Sequence, residues 1–336
     1  MVGGLLRKKL QNMLNNESSF SLINAANVLS GLLSDNFVGS VAEFDRFESC
    51  FHGIPILIPA NSELFEFEVG DVFSIPPNKI LKTIFGLNDP SYIGMRHAFN
   101  RFEFLANFSV RPKYAGFVDE VVQQNVNATN YIKHLQKKYD HIGAFQTRNI
   151  PHLGHEKIIQ RMLEFCDHLV VNPVLGPKKN GDVTTECLST VFKRFAEKKY
   201  KNSISFKPIV ANMFYAGPRE AVHHALVRQK MGFKHFTVGR DHAGAQQAYL
   251  PDAAVRLIKK LSNELKINVM CHDGAVFCIA CDDVVLAGEC NHDHAKYRDI
   301  SGTAFRASIV KKEMFSLADK EMQALLFNSK VKIFES

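Results

Sequence analysis

No apolar run in the 336 residues approaches the ~20 needed to cross a bilayer as a helix, so a membrane-spanning role is not expected. The chain opens Met1-Val-Gly-Gly-Leu-Leu-Arg-Lys-Lys-Leu10, with its basic residues after the short apolar run; a secretory leader has them before it. The expected location is therefore cytoplasmic. There is no Gly-x-x-x-x-Gly-Lys-Ser/Thr loop, and no carboxylate cluster that would make a dedicated cage for Mg²⁺. Internal repeats and low-complexity tracts are absent too. Charge is not concentrated either: the net +7 comes from 41 basic and 34 acidic residues scattered along the chain, so nucleic acid is not an expected partner. A hydrophobic content of 46% with 22% charged residues is ordinary for a soluble chain long enough for two domains.

Polar residues are most concentrated in Phe145-Gln-Thr-Arg-Asn-Ile-Pro-His-Leu-Gly-His-Glu156. Ile142, Ala144 and Phe145 read as a short buried strand, and the pattern Ile158, Ile159, Met162, Leu163 reads as a helix that begins just after Glu156. Between them Gln146, Thr147, Arg148 and Asn149 crowd a turn. His152 and His155, three apart, share a face of the first helical turn, where unpaired backbone N–H groups already favour an anion. Taken alone, His-x-x-His is more often a pair of surface histidines than a ligand site.

The whole string resembles the Gln-x-Arg-Asn-Pro-x-His-x-x-His signature of the ATP sulfurylase (sulfate adenylyltransferase) family, itself a version of the His-x-x-His nucleotidyltransferase motif. The proline here follows Ile150 rather than Asn149, which implies a small change of turn geometry. Three further segments match in order. Tyr215-Ala-Gly-Pro-Arg-Glu-Ala-Val222 leads into a helix with Pro218 at its start and Gly232 past its end, followed by Gly239-Arg-Asp-His-Ala-Gly244. Ile300-Ser-Gly-Thr-Ala-Phe-Arg306 resembles the Ile-Ser-Gly-Thr-x-x-Arg element of these enzymes, and Asn172-Pro-Val-Leu-Gly-Pro-Lys-Lys-Asn-Gly-Asp-Val183 resembles a family loop.

The resemblance implies reversible conversion of ATP and sulfate to adenylylsulfate and pyrophosphate, and a mild positive field would concentrate such anions around the cleft. It implies that Arg148, Gln146 and the backbone N–H of Ala243 grip sulfate, while His152 and His155 meet the α- and β-phosphates. Thr147 and Asn149 would position the nucleotide, with Gly239, Arg240, Asp241 and His242 as the opposite wall and Arg306 near the outer phosphates. Adenine is expected near Met270 and Cys271, and Mg²⁺ arrives with ATP. The adenylylsulfate kinase domain fused to some relatives is not expected, because a phosphate loop is lacking. A homodimer is the default assembly.

Cys50, Cys166, Cys187 and Cys271 look isolated, as reduced cytosolic thiols are. Cys278-x-x-Cys281 followed by Cys290-x-x-x-His294 has the ligand types and close pairing of a tetrahedral, structural Zn²⁺ site. The spacing is similar to a zinc site of many bacterial family members. His292 is an alternative to His294, and Ala275-Val-Phe-Cys-Ile-Ala-Cys281 also reads as a plain buried strand.

Residues 1–130 carry short apolar runs, Ile54-Pro-Ile-Leu-Ile-Pro59 and the alternating Phe65-Glu-Phe-Glu-Val-Gly-Asp-Val-Phe73, which predict a β-rich domain. The family has a PUA-like domain here, and Val2-Gly-Gly-Leu5 is faintly similar to its opening, in shortened form. Residues 131–290 alternate strands (Ile142–Phe145, His168–Val174, Ile204–Val210, Phe236–Val238, Ile267–Cys271) with helices. That order predicts an α/β, Rossmann-like parallel sheet with its chemistry at the carboxyl ends of the strands. Residues 291–336, with a helix through Met314, Phe315, Ala318, Met322 and Leu325, read as a small helical cap.

Overall fold

The computed structural model describes residues 16–49, 53–200, 202–300 and 302–335; Val2–Leu5, Cys50 and Ser301 lie outside them. The amino-terminal region differs from the β-rich expectation, because most of its ordered backbone is helical. It holds α1 (Asn16–Leu29), α2 (Val41–Ser49), α3 (Pro77–Ile80, running on into a π-turn over Leu81–Phe85), α4 (Ile93–Ala98) and the 24-residue α5 (Pro112–Leu135). Its strands β1 (Phe65–Glu66), β2 (Val72–Ser74), β3 (Glu103–Leu105) and β4 (Ser109–Val110) form only two antiparallel pairs, β1 with β4 and β2 with β3. Two local causes are visible. The alternating run is cut by a 3-10 turn over Val69–Asp71, closed by Asp71 N–H donating to Glu68 O at 3.0 Å. In the Ile54–Pro59 run, Pro55 and Pro59 have no N–H to give a ladder, so the run makes isolated bridges, Phe37 with Ile56 and Pro59 with Phe104.

The alternation after residue 140 builds the predicted sheet. Strands β5 (Ile142–Phe145), β6 (His168–Val171), β7 (Ile204–Phe206), β8 (His235–Val238) and β9 (Asn268–Cys271) are all parallel, in the order β7-β6-β5-β8-β9. The connecting helices are α6 (Leu153–Leu163), α7 (Thr185–Lys199), α8 (Gly217–Met231) and α9 (Ala253–Lys260). The order reverses beside β5, which opens a crevice between the ends of β5 and β8, where such sheets place ligands.

Because successive side chains point to opposite faces, the sheet feeds two cores. Ile142, Ala144, Val170, Phe236 and Val238 join one core with α5, α8, α9 and the amino-terminal region. Phe145, Leu169 and Val171 join the other with α6, α7 and the carboxyl-terminal helices. The amino-terminal residues are therefore a layer on the sheet, and polar ties fasten it. Asn125 Nδ2 donates to Val210 O at 2.8 Å and Asn212 Nδ2 to Phe20 O at 2.8 Å, both buried. Helix α5 presents Val118, Val121, Ala128, Ile132 and Leu135 at helical spacing, and it runs across the expected division at residue 130.

Beyond β9 a three-stranded antiparallel sheet, β10 (Ala275–Cys278), β11 (Asp283–Leu286) and β12 (Tyr297–Asp299), spans the expected division at residue 290. Two helices follow, α10 (Gly302–Lys311) and α11 (Lys320–Phe327). They replace the single helix expected through Met314 and Leu325: Asp319 Oδ1 caps α11 by accepting Met322 N–H at 2.8 Å, and buried Gln323 bonds Phe315 N–H and Ala318 O, so Met314, Phe315 and Ala318 form a curled connection.

Candidate active site

Strand β5 ends at Phe145 and the polar turn begins. Ile150 is buried in the second core and Pro151 is buried beside it, so the displaced proline belongs to an anchored turn. Helix α6 starts at Leu153, earlier than its apolar pattern shows. His152 is its N-cap: Nδ1 accepts Gly154 N–H at 3.1 Å, and His152 N–H donates to Nδ1 of His155 at 3.3 Å. The two rings sit 4.0 Å apart between centroids, and a Cβ at Gly154 would come within 2.9 Å of the His152 ring. With their Nδ1 atoms used as acceptors, both neutral rings carry hydrogen on Nε2. Burial lowers the pKa of His152 to about 4, and burial with the neighbouring His152 and His272 rings pushes His155 well below its usual range. They are therefore neutral donors until an anion arrives. Thr147 Oγ1 lies 3.3 Å from His155 Nε2 and accepts Asn149 N–H at 3.1 Å, which tightens the turn.

Arg148 reaches across the crevice. One Nη donates to Gly244 O at 2.7 Å and the guanidinium lies 5.4 Å from the Tyr215 ring centre, while the other Nη is buried without an acceptor among the described residues. An unmet buried guanidinium donor is costly unless a ligand oxygen completes it. Gln146 Oε1 is likewise buried and unpaired.

The opposite wall follows β8. Asp241 and Ala243 hold positive φ values of 54° and 56°, backbone that non-glycine residues rarely adopt, and neighbours fix them there. Asp241 N–H donates to Pro251 O at 2.8 Å and Gly217 N–H to Ala243 O at 3.3 Å, while the Ala243 N–H has no acceptor among the described residues. His242 Nε2 lies 3.0 Å from His224 Nδ1, and burial lowers the pKa of His242 to about 3. Arg240 pairs with Asp299 of β12 at 3.6 Å. Beneath this wall Glu220 accepts the N–H groups of Phe214 and Ala216, each at 2.9 Å, and burial raises its pKa to about 7. Tyr215, fully buried at φ 60°, donates its hydroxyl to Asp182 at 2.9 Å, which ties the 172–183 loop under Arg148.

A cavity of about 370 Å³ lies between these walls, and the structure places around it every residue expected to meet sulfate or the phosphates. Gln146, Thr147, Arg148, Asn149, His152 and His155 form one side; Gly239, Arg240, Asp241, His242 and Ala243 form the other, with Arg306 on α10. Met270 and Cys271, expected near adenine, do not line it. Their side chains alternate into the two cores, Met270 into the second and Cys271 into the first. Residues not foreseen are Met213, Thr237, His272, Gly274, Ala275 and Ile300. His272 was within reach of the sequence, being the first residue beyond a predicted parallel strand; Met213 has no such signal.

The cysteine cluster needs one correction. Cys278, Cys281, Cys290 and His292 bring their ligand atoms within 4.8 Å of one another, and His294 is not among them. Asp293 caps a 3-10 turn by accepting Ala295 N–H at 2.9 Å, and this turns His294 onto the Tyr297 ring with 5.0 Å between centroids. The separations are 3.7 Å for Cys278–Cys290 Sγ, and 3.6 Å and 3.3 Å from His292 Nδ1 to Cys278 and Cys281 Sγ. Tetrahedral Zn²⁺ with ordinary Zn–S and Zn–N lengths requires about 3.8 Å between sulfurs and about 3.6 Å from sulfur to nitrogen. The donor set fits that ion.

Comparison with known proteins gives the family. The family model for ATP-sulfurylase matches residues 123–316. A sulfate adenylyltransferase of Ignicoccus hospitalis is 34% identical over 285 residues, 83% of this chain and 71% of that protein. One from Thermococcus onnurineus is 32% identical over 251 residues, 73% of this chain and 65% of that protein. A solved structure described as "Hexameric APS kinase from Thiobacillus denitrificans" superposes with a TM-score of 0.61 over 93% of this chain and 62% of its own, at 13% identity, a likeness of fold alone.

Proposed function

This chain belongs to the ATP-sulfurylase family, and we propose that its cavity is the active site of a sulfate adenylyltransferase, joining sulfate to the adenylyl group of ATP with release of pyrophosphate. The observation that carries the reading is the convergence of Arg148, with its unmet buried donor, and the His152–His155 pair on one cavity.

Sulfate is a weak, strongly hydrated nucleophile that must be stripped of water and held in line against another anion. Arg148 supplies the charge for it, and the free N–H of Ala243 and the Gln146 amide supply neutral donors. A sulfate oxygen attacks the α-phosphorus, the bond from that phosphorus to the bridging oxygen breaks, and the electron pair leaves on pyrophosphate. No proton transfer or covalent enzyme intermediate is required. The Nε2–H groups of His152 and His155 face charge that grows on the phosphate oxygens, and a neutral ring with a depressed pKa becomes a stronger donor as that charge develops. Thr147 and Asn149 hold the nucleotide, and Arg306 meets its outer phosphates. Mg²⁺ belongs to the substrate and neutralises part of the triphosphate charge.

In the same reading Cys278, Cys281, Cys290 and His292 hold a structural Zn²⁺. With four protein ligands no position is open for substrate, and the ion's contribution is to fix the β10–β12 sheet. From that sheet Asp299 holds Arg240 at the cavity. We place the enzyme in the cytoplasm as a homodimer; among the described residues no helix is long and apolar enough to cross a membrane. Mixing protein, adenylylsulfate, pyrophosphate and Mg²⁺ tests the reaction: ATP formation that depends on both substrates is expected, and binding without turnover would reduce the chain to a ligand-binding homologue.

A further inference from the structure

One imidazole in the cavity has no role in the motifs described above. His272 stands just past β9, and backbone groups hold it on two sides: its N–H donates to Val238 O at 3.2 Å, and its Nδ1 accepts Gly274 N–H at 3.2 Å. A ring nitrogen that accepts an N–H carries no hydrogen of its own, so the neutral ring keeps its proton on Nε2. That Nε2 has no hydrogen-bond partner among the described residues. The ring occupies the space a side chain at Gly239 would need, since a Cβ there would stand 2.4 Å from Cε1 and 3.0 Å from Nε2. The glycine of the Gly-Arg-Asp-His-Ala-Gly loop is thus what admits His272 to the cavity. The cavity it lines is shared with His155 on one wall and His242 on the other.

We propose that His272 is a further substrate-binding residue of this site, its Nε2–H donating to an oxygen of the phosphate chain, in ATP and in the departing pyrophosphate. The inference rests on the reaction proposed above. Phosphate is favoured over adenine by what surrounds the ring. His155, the unpaired Thr237 hydroxyl and the unmet Nη of Arg148 can all donate into the same cavity, and an acceptor-rich ligand satisfies such a set. The carboxylate of Asp241 packs against Gly244, where a Cβ would meet its Oδ1 at 2.2 Å. An adenine ring needs a flat apolar slot, and Met270 and Cys271, which would have made one, pack into the cores. Burial keeps the free ring neutral, with a pKa near about 4, so it does not repel its sister imidazoles in the empty site, and a phosphate oxygen beside Nε2 then favours the charged form.

The experiment has two arms. Kinetics run towards ATP separate the substrates: His272→Ala is expected to raise the KM for pyrophosphate by ~10-fold or more, the scale of one hydrogen bond to a charged group, and to leave the KM for adenylylsulfate unchanged. His272→Gln, which keeps an N–H donor, is expected to recover part of the loss. In the second arm, wild-type protein with ¹⁵N-labelled histidine is titrated with inorganic pyrophosphate and Mg²⁺. The resonance identified as His272 by its absence from His272→Gln should shift. An unmoved resonance, an unchanged pyrophosphate KM, or an effect confined to the KM for adenylylsulfate would each overturn the proposal. If wild type makes no ATP, the reaction reading fails by itself, and the pyrophosphate titration still decides His272.

Discussion

The cavity at the carboxyl edge of the parallel sheet and the Cys278–His292 cluster both gather polar side chains on loops, but different forces hold them. Around the cavity the backbone does the holding. His152 caps a helix, Arg148 bonds Gly244 O, and Asp241 and Ala243 are kept at positive φ by bonds to Pro251 and Gly217. In the cluster, apart from Cys278 in β10, the ligands lie on exposed or half-buried turns, and the sulfur and nitrogen atoms meet one another, with Cys290 Sγ also 3.3 Å from the Tyr297 hydroxyl of β12. The first arrangement is held by backbone bonds throughout; the second has its partly exposed end on turns, where the ion we propose would hold it.

Breaking that contrast starts at the cavity. Arg148→Ala is expected to lower turnover by ~10³-fold or more with the fold intact, because it removes the charge that holds sulfate against an anionic partner. Rates near wild type would end the sulfate assignment, and circular dichroism checks the fold. His152→Ala and His155→Ala should each lower kcat by ~10²-fold, the loss of a donor aimed at transition-state charge. A change limited to KM would mean the rings bind ATP uniformly. His152→Ala also removes a helix cap, about 1 kcal/mol, so its melting temperature should fall where that of Arg148→Ala does not.

The cluster should respond in stability rather than chemistry. Chelation, Cys281→Ser and His292→Ala are expected to lower Tm by ~5 °C or more, while His294→Ala leaves the metal content at one Zn²⁺ per chain. Zinc well below one per chain in carefully purified wild type would remove the ion.

Acid should weaken the fold through its buried imidazoles. The rings of His97, His152, His223, His242 and His272 have pKa values held by burial at about 4 or about 3, below the ordinary 6.5. Below about pH 6.5 the unfolded chain takes up protons the folded chain refuses, so stability falls as pH drops towards 4. Glu220 acts in the opposite sense: its pKa is raised from 4.5 to about 7, so the unfolded chain sheds a proton that the folded chain keeps as pH rises through that window. Several rings oppose one carboxyl, and the Tm measured from pH 7 down to 4 should decline throughout. A flat profile would show that the imidazoles are solvated. The smallest effect belongs to Tyr215→Phe, which keeps the ring beneath Arg148 but loses the bond to Asp182: under ~10-fold in kcat and about 1 kcal/mol in stability.

How far the sequence reached differs between these regions for a physical reason. Strand and helix periods report burial on a repeating element, so β5 to β9 were legible, and motifs beyond their ends were placed with them. In the amino-terminal layer the same alternation misled, since Gly70 and two prolines interrupt pairing locally and the apolar residues are absorbed by a core shared with the sheet. Helix α5 was missed although its buried stripe is regular, because it has no motif to draw notice.

By itself the sequence determined the order of the five parallel strands and their helices from residue 142 to residue 271 and the set of donors that chemistry would need, because both are local in the chain. Tertiary structure decided the rest. His292 and His294 both suit a ligand spacing, and only the turn capped by Asp293 sends one to the sulfurs and the other to Tyr297. His272 and Gly239 are distant in sequence, yet the pairing of β8 with β9 sets the ring over the glycine. Spacing states which groups are available; the packing of strands and turns selects the atoms that meet.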